Sequence, residues 1–345
     1  MRETAKAPDG IPRALYARMA ELGWMGLLVP ETDGGLGLST LDLAVVLEEL
    51  GRAAAAGPFL PTQLVIHALL RAGSAAQRTA WLPRLVAGEC FAALAYLEES
   101  DRHDPGGIAL AARRTRDGWR LAGTKLFVMG VPGAELLLVA ARTGRNGISL
   151  FLVEASAPGV RVRPAETIDL TRRVGEVNLR DVAVERGALL GRQDAGWPLL
   201  ARLLDLGALG VAADSLGGAA RALEMAVEYS KVRQQFGRPI GSFQALKHMA
   251  AEMVAEIEPS RSLVWYAAYT FDHRPHEAAR AAAMAKARLG DVYSRTVNRA
   301  VQMHGGIGFT WEHDLHLWFK RARWNEVAFG DPEYQRERVA AIDGY

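Results

Sequence analysis

The chain has 345 residues, 50% of them hydrophobic and 23% charged, which is the balance of an ordinary soluble globular protein; at that length one hydrophobic core stops growing, and two or three packed sub-domains are expected. The formal net charge is +2, and the only run of like charge, Lys320-Arg321-Ala322-Arg323, reads as a solvated helix face, which argues against a nucleic-acid-binding protein. Cys90 is the only cysteine, so an internal disulfide and a cysteine-based metal cage are both excluded, and the thiol reads as a small buried hydrophobe in a reducing cytoplasm.

The N-terminus mixes Arg2, Glu3, Lys6 and Asp9 with few large apolar residues, unlike a secretory signal. No stretch reaches the ~20 uncharged apolar residues that span a bilayer. A soluble, cytoplasmic protein is expected.

From residue 11 to about 90 the pattern is helical. Leu15, Met19 and Leu22 share one face, as do Leu43, Val46, Leu47 and Leu50. Pro30, Asp33-Gly34-Gly35 and Gly57-Pro58 separate the helices. Gly34-Gly35-Leu36-Gly37 follows no convincing strand and reads as a plain turn, not a dinucleotide loop. From 91 to about 195 short apolar runs such as Leu136-Val139 and Ile148-Val153 alternate with turn residues, Asp117-Gly118 among them, which predicts a small β-barrel or sandwich. From 196 to 345 helices return over Leu199–Val232, Phe243–Phe271, Pro275–Met303 and Glu312–Val327, an antiparallel four-helix bundle. The expected fold class is therefore α+β, with a helical domain over 1–90, a β-barrel domain over 91–195 and a helical bundle over 196–345.

The segment Arg233-Gln234-Gln235-Phe236-Gly237-Arg238-Pro239-Ile240-Gly241-Ser242-Phe243-Gln244 leaves one long helix and enters another, with Ser242 as the expected N-cap. Unpaired N–H groups at a helix start beside an arginine fork favour phosphate. Ordinary helix capping accounts for Gly241 and Ser242 but not for a guanidinium, an aromatic ring and an amide around one turn.

This segment resembles the C-terminal signature of acyl-CoA dehydrogenases, Arg-x-x-Phe-Gly-x-Pro-Ile-x-x-Phe-Gln. Gln302-Met303-His304-Gly305-Gly306-Ile307-Gly308-Phe309 is similar to that family's Gln-x-x-Gly-Gly-x-Gly loop, and Leu121-Ala122-Gly123-Thr124-Lys125-Leu126-Phe127-Val128 to its flavin-side strand. Met25–Glu31 and Asp169–Arg173 extend the likeness over nearly the whole chain. The resemblance implies FAD between barrel and bundle, reaching into a neighbouring subunit, and hence at least a dimer. It implies cofactor contacts at Arg233, Gln235, Phe236, Phe243, Gln244, Gln302, Gly305 and Gly306, with Phe127 and Met129 on the flavin-side strand. The implied activity is α,β-dehydrogenation of an acyl-CoA thioester, in which a carboxylate takes the α-proton.

Several positions depart from the family. Counting from the Gln302 loop, its catalytic glutamate falls on Phe329, before Gly330; its alternative glutamate, within a Leu-Asp-Leu-Glu-Arg helix, falls on Gly207 in Leu204-Asp205-Leu206-Gly207-Ala208. Asp331 is the nearest carboxylate and the candidate base; the other reading of it is a turn residue before Pro332. Glu326 ranks below it, on a different helical face. Leu97-Glu98-Glu99 stands for the family's Thr-Glu-Pro, Met129 for its flavin-facing hydroxyl, and the first family helix reads as truncated. The expectation is an acyl-CoA dehydrogenase-type enzyme acting as a homo-oligomer with Asp331, or as one half of a hetero-oligomer whose partner completes the site. A non-catalytic partner subunit and a flavin-dependent oxygenase are the alternatives. His273/His276 and His313/His316 lack a third ligand, so no metal is expected. Trp311, Trp318 and Trp324 read as core or interface.

Overall fold

The computed structural model describes residues 9–145 and 147–345; Arg2, Glu3 and Lys6 of the expected non-signal terminus, and Met1 from which the truncated helix is counted, lie outside them. The chain forms two compact units. The first comprises the described residues up to 39, together with 56–167 and 171–207; the second comprises 40–55, 168–170 and 208–345.

In the first unit, α1 (Arg13–Glu21) buries Tyr16 and Met19. α3 (Phe59–Ala72) is apolar on nearly every side and buried accordingly. α4 (Ala75–Val86) starts at a capping box in which Ser74 and Gln77 each satisfy the other's backbone N–H. The Gly34 turn is a plain one, since Gly34, with φ 85°, closes a short 3-10 turn over Glu31–Asp33. The strands follow as β1 (Ala92–Ala95), β2 (Ala111–Arg114), β3 (Gly118–Met129), β4 (Leu136–Arg142), β5 (Ile148–Glu154), β6 (Val160–Pro164), β7 (Val174–Glu185) and β8 (Leu189–Leu190). They make one eight-stranded sheet in the order β6-β7-β3-β2-β4-β5-β8, with β1 pairing parallel to β4. β4 and β5 are buried on both faces, which is why they read as unbroken apolar runs. Inward residues of both halves, Trp119, Leu121, Val139, Phe151 and Val177 among them, share one core, and the Trp119 and Phe151 rings meet edge-on at 5.3 Å.

The second unit holds α2 (Thr40–Arg52), the part of α5 (Trp197–Val232) from residue 208 onward, α6 (Gln244–His273), α7 (Ala278–His304), α8 (Leu315–Val327) and α9 (Pro332–Asp343). A two-residue hairpin, β9 (Gln234–Gln235) with β10 (Arg238–Pro239), joins α5 to α6. α2 and α5 touch backbone to backbone. A Cβ on Gly51 would sit 2.0 Å from the Asp214 carbonyl oxygen, and one on Gly217 would sit 1.8 Å from that of Glu48. α2 also lies antiparallel to α6, with Thr40 hydrogen-bonded to Asp272 and Glu48 paired with Arg261.

Two sequence expectations need correction here. Arg321 is not on a solvated face: it is 1% exposed, forks onto Asp214 at 3.0 and 2.5 Å, and donates to the Ala55 carbonyl. The charge run hid this because every residue of a like-charged stretch looks equally hydrophilic, while a helix turns one in three or four of them inward. α9 was also absent from the four-helix expectation, although Asp331-Pro332 is an N-cap followed by proline at the first helical position.

Candidate functional site

In the first unit, β3 carries the residues matched to the flavin-side strand. The pairing of β3 with β7 shifts register between Lys125 and Val128, and Phe127 there has φ 49°. Such a bulge re-aims a side chain, and the Phe127 ring is 67% exposed. Met129, by contrast, is buried, and its sulfur accepts from the Arg172 guanidinium at 3.9 Å. The two residues that sequence placed together at the flavin thus point to different surroundings.

Lys125, on the same strand, is fully buried. Its ammonium donates to Glu98 at 2.5 Å and to the Tyr96 carbonyl at 3.0 Å. Burial pulls its pKa down to about 8, with Glu98 working against the shift. The Glu98 carboxylate also accepts the backbone N–H groups of Ala109 and Leu110, so one ion pair pins both ends of the 97–110 segment. Sequence reasoning missed this pair. The available signal was a lysine at an inward strand position opposite apolar neighbours.

In the second unit, the hairpin turn places Phe236 and Gly237 at φ 53° and 76°, the two positive values of a tight two-residue reversal. Phe236 is 91% exposed and meets the Phe243 ring edge-on, while Arg238 lies 4.2 Å over that ring. Arg233, Gln235 and Gln244 are exposed, and among the described residues the Arg233 guanidinium makes no hydrogen bond or ion pair. Ser242 does not cap α6. It ends a 3-10 turn over Ile240–Ser242, and Phe243 occupies the cap without a side-chain bond, because closure of the hairpin through Ile240 N–H to the Arg233 carbonyl shifts the helix start. The first-turn N–H groups of α6 therefore have no side-chain cap.

α7 ends at His304, and Gly305 reverses the chain with φ 66°. A Cβ on Gly305 or Gly306 would meet nothing, so this backbone faces open space, and Gln302 is exposed beside it. His304 stacks on Tyr229 at 4.6 Å, which ties this loop to the end of α5 that leads into Arg233. His313 packs on His304 at 4.5 Å, and burial lowers the pKa of both imidazoles. Among the described residues no three His, Cys, Asp or Glu side chains gather as a metal site would require.

The base position lies in the turn between α8 and α9. Phe329 has φ 56° and Gly330 φ 89°, and the turn is held from three directions. Lys286, 1% exposed, donates to the Glu326 and Gly330 carbonyls at 2.9 and 2.8 Å; Gln335 donates to the Phe329 carbonyl at 2.6 Å; a Cβ on Gly330 would press on the Tyr334 ring. Burial draws the Lys286 pKa down to about 8. Asp331 is exposed, and its carboxylate caps α9 by accepting the Tyr334 N–H at 2.8 Å. Glu326 pairs with Arg323 at 2.9 Å, and Gly207 and Ala208 are buried within α5.

Exposed amides, an unengaged guanidinium, an uncapped helix start and open glycine backbone at one end of the helical unit fit an elongated anionic cofactor. The comparisons with known proteins agree. Residues 1–89, 93–182 and 194–342 match the N-terminal, middle and C-terminal domains of acyl-CoA dehydrogenase. The chain is 32% identical over 338 residues to the mitochondrial short-chain specific acyl-CoA dehydrogenase of Bos taurus, covering 95% of this chain and 82% of that one. It superposes with TM-score 0.90 on butyryl-CoA dehydrogenase from Megasphaera elsdenii, at 30% identity over 95% of this chain and 89% of the other. A TM-score of 0.90 also relates it to a chain of the ChsE4-ChsE5 complex from Mycobacterium tuberculosis, at 31% identity over 99% and 90% of the two chains.

The fold and the site thus define an FAD-dependent flavoprotein oxidoreductase. The chain belongs to the acyl-CoA dehydrogenase family.

Proposed function

We propose that the chain takes part in α,β-dehydrogenation of an acyl-CoA thioester as one subunit of a hetero-oligomer, in which a second acyl-CoA dehydrogenase-like chain contributes the base. The observation that carries this is a contrast within one unit. The anion-facing features at Arg233, Gln244, Gln302, Gly305 and Gly306 are all in place, while the base position is a phenylalanine on a turn clamped by Lys286 and Gln335. A clamped turn does not slide by two residues to deliver Asp331, whose carboxylate already caps α9.

FAD, when bound, supplies the hydride acceptor. The residues of this chain hold its anionic end: Arg233 provides charge, Gln235, Gln244 and Gln302 provide amide donors, Phe236 and Phe243 provide ring faces, and Gly305-Gly306 lets backbone N–H groups approach. That one of the similar solved structures is a complex of two named proteins supports a paired assembly.

The test is to purify the chain alone and beside a co-expressed partner of the same fold, then record flavin absorbance and its bleaching by acyl-CoA. Sub-stoichiometric flavin in the isolated chain, with full flavin and bleaching in the pair, is the expected result. Stoichiometric FAD and thioester-dependent bleaching in a homodimer would overturn the proposal and favour a homomeric enzyme using Asp331.

A further inference from the structure

The eight-stranded sheet of the first unit does not close on itself. β6 stands at one end of the strand order and β8 at the other, and each is shorter than the strand it borders. β8 pairs with β5 over two residues only, Leu189 with Phe151 and Leu190 with Leu150. Among the described residues β5 therefore has no strand on that side from Leu152 to Glu154. At the other end, β6 reaches along β7 only as far as Leu179, so from Val182 to Glu185 β7 pairs with β3 on one side and with no described strand on the other. Two bare edges of one sheet remain, and every second residue of such an edge aims its N–H and C=O outward.

These edges line one groove of about 470 Å3, with Gln77 and Trp81 of α4 as a further wall. Leu152, 7% exposed, and the half-buried Ala157 and Val184 make its lining apolar. The opening is held in place. After Glu185 the chain passes through a 3-10 turn over Arg186–Ala188, and the Gln77 amide donates to the Gly187 and Leu189 carbonyls at 2.8 and 2.9 Å. Gln77 is itself fixed by the Ser74 capping box, so α4 keeps this segment off β5 where a longer β8 would cover the edge. Size and charge then define an occupant. A residue in a sheet takes on the order of 160 Å3, from a rise of ~3.3 Å, a strand spacing of ~4.8 Å and a layer spacing of ~10 Å. The groove thus admits about three extended residues, the length of the bare β5 edge. The charged residues that line it, Glu154 and Glu185, are both acidic and exposed, and among the described residues neither forms an ion pair. Arg186, next in sequence, donates instead to the Arg116 carbonyl at 2.8 Å.

We propose that this groove receives an extended, lysine- or arginine-bearing segment of a partner polypeptide, which adds as a strand to the bare edge of β5 and sets its cations against Glu154 and Glu185. Backbone hydrogen bonds supply the affinity of such an added strand, and the acidic rim selects its sequence. Every residue involved belongs to the first unit, and the inference stands whichever chain supplies the base for the flavin reaction.

Fluorescence polarisation with the purified full-length chain tests it. The probe is fluorescein-labelled Lys-Val-Thr-Val-Lys, compared with Glu-Val-Thr-Val-Glu, which reverses the charges, and with Lys-Pro-Pro-Pro-Lys, which keeps them but has no central N–H groups. The lysine probe should bind saturably, and more weakly as salt is raised. The glutamate and proline probes should each bind weaker by about tenfold or more. In the variant E154K/E185K the order of the lysine and glutamate probes should reverse at an unchanged melting temperature, because both side chains are exposed. Amide hydrogen exchange should slow over residues 152–154 when the lysine probe is bound. No saturation by the lysine probe up to about 1 mM would overturn the proposal. So would a proline probe that binds equally well, an unchanged preference in E154K/E185K, or protection that spares the β5 edge.

Discussion

At the scale of single residues, the sharpest question is what Asp331 does. Its carboxylate accepts the Tyr334 N–H, and asparagine caps a helix about as well as aspartate, so Asp331→Asn separates capping from proton transfer. The expected outcome is an unchanged melting temperature and unchanged turnover in the assembled enzyme. Asp331→Ala should cost about 1 kcal/mol of stability, again with chemistry intact. Loss of turnover in the asparagine variant at full stability would make Asp331 the base. His67 offers a second residue-scale prediction. Its Nε2 is buried without a hydrogen-bond partner, and burial beside Arg202 and Arg71 lowers its pKa from 6.5 to about 3. Because the folded pKa is depressed, the neutral ring's contribution is fully present above pH 6.5 and is lost as pH falls toward 3. Between pH 6.5 and 4 that loss is on the order of 3 kcal/mol. Melting temperatures measured across this interval should fall less steeply for His67→Leu than for the wild-type chain, and parallel slopes would assign the acid sensitivity elsewhere.

At the scale of elements, the α8–α9 turn depends on one ammonium. Lys286→Met removes the hydrogen bonds to the Glu326 and Gly330 carbonyls and leaves one part-buried and one buried acceptor without that donor, at a cost of about 2–3 kcal/mol. Amide hydrogen exchange should quicken first over residues 326–335. A variant as protected there as the wild type would show that Gln335 and the packing of Gly330 hold the turn unaided. This turn also shows where legibility in the sequence ended. The segments around Arg233 and Gln302 were readable because each is contiguous, and the spacing of glycine, aromatic and amide within a dozen residues carries its own meaning. The helices and strands were readable from periodicity and punctuation. What could not be read depends on partners remote in sequence. Lys286 reaches a carbonyl 44 residues away, Arg321 is buried by Asp214 107 residues away, and α2 joins the C-terminal helices through Glu48 and Arg261. Nor could period alone show the β3 bulge that turns Phe127 outward while Met129 goes in, or the 3-10 turn that displaces Ser242 from the cap.

At the scale of the whole molecule, the proposed reading gives the helical unit the part of the family's machinery that would face an anion and leaves the base to a second chain. If the chain holds only the distal end of FAD, the cofactor's binding energy belongs to the assembly and not to the isolated chain. A ligand that binds the folded state stabilises it by about 2.7 kcal/mol at one hundred times its dissociation constant. For a chain of this size that raises the melting temperature by roughly 4 °C. Added FAD should therefore shift the isolated chain by less than about 2 °C and the co-purified pair by the larger amount, with both transitions of the pair moving together. Arg233→Ala, which removes an exposed side chain that makes no hydrogen bond or ion pair among the described residues, should leave the isolated chain's melting temperature unchanged and reduce the FAD-dependent shift of the pair. Scanning fluorimetry on both samples reads all of these values. A full FAD-dependent shift in the isolated chain, abolished by Arg233→Ala, would instead place a complete flavin site within oligomers of this chain alone.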